Sequence, residues 1–97
     1  MNISIYSTEV FDDWFKQLRD KRAQKRIQVR IDRIEEGNFG DYKPVGEGVF
    51  EMRIHYGAGY RVYFVQRGLE MVILLAGGDK STQQKDIQTA LKLAREL

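Results

Sequence analysis

The run Met71 to Ala76, MVILLA, is apolar at every position and constrains this chain more than any other segment. A strand with one wet face alternates apolar and polar residues, whereas an unbroken short apolar run fits a strand covered on both faces. The run is also far too short to cross a bilayer. It is therefore read as the heart of a central strand, Leu69 to Ala76. Two strands precede it, Val49 to His55 and Tyr60 to Gln66. In the first, Phe50, Met52 and Ile54 alternate with Glu51, Arg53 and His55. In the second, Tyr60, Val62 and Phe64 alternate with Arg61, Tyr63 and Val65.

The flanks read as helices. Asn2 to Tyr6 alternates like a short strand, and Ser7 or Thr8 then offers an N-cap. Val10, Phe11, Trp14, Phe15 and Leu18 make an apolar stripe at helical spacing. The polar stretch from Arg19 turns the chain into a second helix with the stripe Ala23, Ile27, Ile31 and Ile34, and Gly37 is placed to stop it. Asn38 to Gly48 is a loop with a short extended piece around Tyr42 to Val45. Ser81 with Gln84 has capping-box spacing before a closing helix carrying Ile87, Ala90, Leu91, Ala94 and Leu97. The order βααβββα predicts an α+β domain in which a helical hairpin and a C-terminal helix pack on a mainly antiparallel sheet. Its 97 residues make a single domain, 1–97.

Composition narrows the chemistry. There is no cysteine and one histidine, so neither a disulfide framework nor a metal centre built on thiolates or several imidazoles is expected. The start MNISIYSTEV lacks the basic and apolar regions of a signal peptide, which gives the expectation of a soluble cytoplasmic protein. Net charge is only +2, yet the pI is near 9.0 and the cations are unevenly spread. Lys21, Arg22, Lys25, Arg26, Arg30 and Arg33 crowd the second helix opposite its apolar stripe. A solvated face is the ordinary explanation. A phosphate-tracking surface, with Arg30 and Arg33 as substrate contacts, is the sharper one.

The hairpin makes the stronger case for an anion. For its two apolar sets to share one face, the loop around Gly57-Ala58-Gly59 must hold an odd number of residues, three or five. Arg61 then lies opposite either Arg53 or His55, and like charges so placed destabilise a sheet. No nearby acid on that surface obviously neutralises them, although Glu51 and Asp79 are the acids to watch. Guanidinium groups grip phosphate at two points and keep their charge. Lys80, after a Gly77-Gly78 turn and just before the last helix, is placed to join them. Lys43 and Tyr60 flank the same region as substrate contacts. GGDKST lacks the spacing of a nucleotide-hydrolase phosphate loop, and no serine-histidine-acid set is present.

The run GDYKPVGEGVFEMRIHYGAGYRVYFVQRG, followed by VILLAGGDKSTQQKDIQTAL, resembles the RelE/ParE superfamily of toxin-antitoxin modules, most closely its HigB-like addiction module killer branch. The resemblance covers essentially the whole chain. It implies a microbial RNase fold that cuts mRNA on the ribosome without metal or cofactor, restrained by a small helix-turn-helix antitoxin of HigA type. By position Arg53 and Arg61 match the basic hairpin residues, Lys80 the basic residue after the last strand, and His55 a further cation. Where some members carry a tyrosine or histidine near the C-terminal helix, this chain has Gln83, Gln84 and Lys85. Imidazole titrates near neutrality, which makes His55 the first candidate for proton transfer, with Lys80 second. A gyrase-poisoning toxin and a non-catalytic binding module are the alternatives the fold also allows. Val10 and Val29 are the candidate antitoxin docking strip, with a core role the stronger expectation for both.

Overall fold

The computed structural model describes residues 2–97. The apolar run lies in β5 (Met71–Gly78), inside a five-stranded sheet. Its fellow strands are β1 (Ser4–Ser7), β2 (Tyr42–Gly46), β3 (Val49–Ile54) and β4 (Tyr60–Arg67), in the order β1-β5-β4-β3-β2. β1 runs parallel to β5, and the other three pairings are antiparallel. The extended piece at residues 42–45 is thus a full edge strand, which its Pro44 tolerates because an edge position needs one fewer N–H donor. Leu69 is not in β5 but in the turn before it, 74% exposed.

Helix α1 (Glu9–Lys16) and helix α2 (Lys21–Glu35) form the expected hairpin. Thr8 caps α1 by accepting from the Phe11 amide, and Asp20 caps α2 by accepting from Arg22 and Ala23. Gly37, at φ +87°, ends α2 with its amide on the Ile34 carbonyl. The apolar stripes of both helices cover one sheet face, where Ile27, Ile34, Met52, Val62 and Phe64 are sealed from solvent. Helix α3 (Gln83–Arg95) covers the other face over Val49, Tyr63, Val65, Leu75 and Ala76. A bulge between Tyr63 and Phe64, against β5, turns both Leu75 and Ala76 toward α3. Burial on both faces is why β5 lacks alternation.

Three local expectations are corrected. Gly77 and Gly78 continue β5 instead of turning, since they pair with Val62 and Arg61 of β4, and they are glycine because helices press on them from both sides: a Cβ on Gly77 would lie 2.2 Å from the Trp14 ring, and one on Gly78 would collide with Asp86. The capping box is made by Asp79 and Thr82 on a 3-10 turn, Lys80–Thr82, not by Ser81 and Gln84, since the chain needs one tight turn before α3 can start. Val10 and Val29 are 42% and 39% exposed, lying off the stripes that meet the sheet, so neither is a core residue. Among the described residues no helix is long and apolar enough to cross a membrane.

Candidate functional site

Register settles where Arg61 sits. Ile54 pairs with Tyr60 and Arg53 with Arg61, so the loop is the five-residue solution, residues 55–59, and the two arginines are direct cross-strand neighbours. Their side chains lie on the α3 face of the sheet, beside Glu51 and Tyr63. Lys80 arrives from the far side of β4. Its amide donates to the Ala58 carbonyl at 3.3 Å, and its Cβ would stand 3.4 Å from a Cβ on Gly59. A groove of about 470 Å³ results, lined by Arg53, His55, Tyr60, Arg61 and Lys80 together with the hairpin tip. All four residues proposed for chemistry therefore meet in one place.

The groove is not free of acid, contrary to the sequence expectation. Asp41 stands just before β2, and its carboxylate accepts from Arg53 Nη2 at 3.1 Å and meets His55 Nε2 at 2.5 Å. Glu51 is fully buried beneath the groove floor. Its Oε2 accepts from Gln83 Nε2 at 2.8 Å and Tyr63 OH at 3.1 Å and lies 3.5 Å from Arg61 Nε; its Oε1 is 3.9 Å from Lys43 Nζ. Burial, then Glu51, pushes the Tyr63 phenol well up, so it remains a donor. Asp79 spends its carboxylate on the amide and hydroxyl of Ser81, so it pairs with neither arginine. Lys80 itself has no ion-pair partner among the described residues.

These two acids do different things. The Asp41 pairs are open to water, and exposed pairs contribute little and yield to a competing anion. Glu51 is out of reach of any ligand. The hydrogen bond from His55, more than those from Arg53, holds the Asp41 carboxyl below its usual range, against partial burial. A carboxylate whose folded pKa is depressed stabilises fully above its unfolded pKa, and that contribution is lost as pH falls through the folded value. A carbon-detected titration should accordingly find Asp41 ionising below a free aspartate, and His55→Ala should move it up. An unmoved midpoint would dissolve the pair.

The residues expected as substrate contacts separate. Tyr60 lines the groove, its phenol kept neutral by burial and by Asp20 and Asp79. Lys43 is on the edge strand beside Glu51, outside the groove lining. Arg30 is spent on structure: it donates to the carbonyls of Arg53 at 2.7 Å and of Phe39 and Asp41 at 3.4 Å, tying α2 to the start of β2. Arg33 is exposed and lines a second groove of about 460 Å³ with Lys25, Arg26 and Val29. That groove meets the first at Ile54 and His55, and beside the junction Arg26 stacks 4.5 Å over the Tyr56 ring.

A helical hairpin and C-terminal helix on opposite faces of a five-stranded sheet define a RelE-like fold. The structure aligns with that of a doubly substituted mutant of the E. coli toxin RelE in the free state, over 95% of this chain and 97% of the other, with a TM-score of 0.74 at 11% identity. Residues 13–97 match the family described as Phage derived protein Gp49-like (DUF891), and the chain belongs to it. A Haemophilus influenzae protein described as uncharacterized is 53% identical over 97 residues, which cover 100% of this chain and 98% of that protein.

Proposed function

We propose that this protein is a toxin of the HigB-like branch of the RelE superfamily, an endoribonuclease that cuts mRNA on the ribosome and needs no metal. The observation that carries this reading is the convergence of Arg53, His55, Arg61 and Lys80 on one groove. A phosphodiester in that groove meets two guanidinium groups on neighbouring strands, both able to hold phosphate oxygens in two-point geometry. The ribose 2′-hydroxyl attacks phosphorus in line, the bond to the 5′-oxygen breaks, and charge on the pentacoordinate intermediate is offset by Arg53, Arg61 and Lys80. His55 moves the proton, with Lys80 as the second candidate. The products are a 2′,3′-cyclic phosphate and a 5′-hydroxyl. Mapping those ends on transcripts after induction tests the reading. Intact transcripts with an SOS response would replace it with gyrase poisoning, and tight binding without cleavage on translating ribosomes would leave only a binding module.

The second groove extends the RNA path, with Lys25 and Arg33 neutralising phosphates beyond the cut and Lys43 a more distant contact. For a single strand, each phosphate contact contributes roughly 0.7 to the slope of log affinity against log salt. Replacing Lys25 and Arg33 by glutamine should lower that slope by about 1.4 while cleavage chemistry persists. An unchanged slope would return both residues to a solvated face. The cytoplasmic partner is a helix-turn-helix antitoxin of HigA type, and exposed Val10 and Val29 are its candidate contacts. Co-purification with the small protein encoded alongside, abolished by Val29→Asp, would support that assignment.

A further inference from the structure

Glu51 is the one fully buried charged residue among those described, and its surroundings are unusual. On the α3 face of the sheet its neighbours Val49, Tyr63 and Val65 belong to an apolar core, against which a carboxylate stands out. A buried carboxylate is costly unless paired, and removing one partner of a buried ion pair while the other stays is strongly destabilising, so Glu51 and Arg61 depend on each other. Glu51 is not even fully paired: Tyr63 and Gln83 donate to Oε2, Arg61 Nε lies 3.5 Å from that oxygen as an ion pair without a hydrogen bond, and Oε1 has no hydrogen bond. A carboxylate kept only to join β3, β4 and α3 would be expected to satisfy both oxygens. What the arrangement does achieve concerns Arg61.

The Arg61 side chain is 13% exposed. Its Nη1 donates to the Gly59 carbonyl at 3.1 Å, and its Nε faces Glu51 Oε2 at 3.5 Å. The Gly59 hydrogen bond anchors one side of the guanidinium and the charge of Glu51 draws the other, which leaves its Nη2 group and the second N–H of Nη1 for the groove it lines. Glu51 is also the diagonal cross-strand neighbour of Arg61, and its negative charge offsets the repulsion between Arg61 and Arg53. We propose that Glu51 is a positioning residue, a buried counter-charge that holds Arg61 in the orientation in which it grips a phosphodiester. This rests on reading the groove as a phosphodiester site.

The test is a double-mutant cycle read by NMR titration with a non-cleavable 2′-O-methyl dinucleotide, alongside cleavage on translating ribosomes. Glu51→Gln should weaken dinucleotide binding by about tenfold, the loss expected when one charge-assisted hydrogen bond to phosphate is misaligned. In an Arg61→Lys background the same change should cost clearly less, because the planar fork that Glu51 orients is then gone. Should Glu51→Gln fail to fold, Glu51→Met enters the same cycle: it fills the core with apolar volume, so a merely structural Glu51 would leave its binding intact. Wild-type affinity in a folded variant, or losses that simply add to those of Arg61→Lys, would overturn the proposal. If coupling appears but no transcript is ever cut, the nuclease reading fails and the positioning role stands. If transcripts are cut and coupling is absent, the positioning role fails alone.

Discussion

Arg61→Lys is expected to slow single-turnover cleavage of mRNA on translating ribosomes by about a hundredfold, the loss typical when one donor to a developing oxyanion is removed. Lysine keeps the positive charge, so Glu51 retains a cation above it and the groove keeps its electrostatic balance. What lysine lacks is the planar fork that contacts two phosphate oxygens at once. The rate of the chemical step should therefore fall far more than binding does. Arg61→Ala is a poorer probe, because it leaves the buried carboxylate without its nearest cation and should cost as much as about 3 kcal/mol in folding stability. A loss of toxicity in that variant would confuse unfolding with chemistry. Folded Arg61→Lys protein that cleaves at the wild-type rate would remove Arg61 from the reaction.

The arginine pair was legible because it needs only parity. Two alternating strands that share an apolar face force Arg53 and Arg61 onto the opposite face whatever the loop length, and the register then selects one of two neighbours. Lys80 was legible by position, but the backbone bond to Ala58 that delivers it to the hairpin tip depends on how far β5 runs, and β5 runs two residues past the point where its glycines suggest a turn. Of the acids, Asp41 was missed for a related reason. Asp41 meets Arg53 and His55 because residues 42–46 pair with β3, and an extended piece of unknown partner carries no register. Glu51 was among the acids to watch, and its burial had a signal too: it shares its alternation with Arg53, on a sheet covered on both faces. Arg30 looked like its solvated neighbours on α2, and only the approach of Gly40 and the carbonyls around it shows that it is a staple.

The same close packing that disguised Gly77 makes it the position where a single methyl group should do most damage. A Cβ there would stand 2.2 Å from two carbons of the Trp14 ring and 2.6 Å from a third, distances that real contacts do not reach. Trp14 is not a flexible side chain with room to swing, since its ring packs against Phe11 with centroids 5.7 Å apart and Phe11 is buried. Either the indole is driven from its place or β5 shifts away from α1, and overpacking of this severity costs about 3 kcal/mol. For a domain of this size Gly77→Ala should lower Tm by roughly 12–24 °C. The cost should also reach the groove, because Gly77 and Gly78 pair with Val62 and Arg61 and lead directly into Asp79 and Lys80. Trimming the indole supplies the control: Trp14→Leu alone opens a cavity and destabilises, but in the Gly77→Ala background it makes room for the methyl group. The double variant should then be more stable than the two single losses together imply, by about 1 kcal/mol or more, as expected for residues in direct contact. Strictly additive losses would mean that Gly77 is needed for something other than the approach of Trp14.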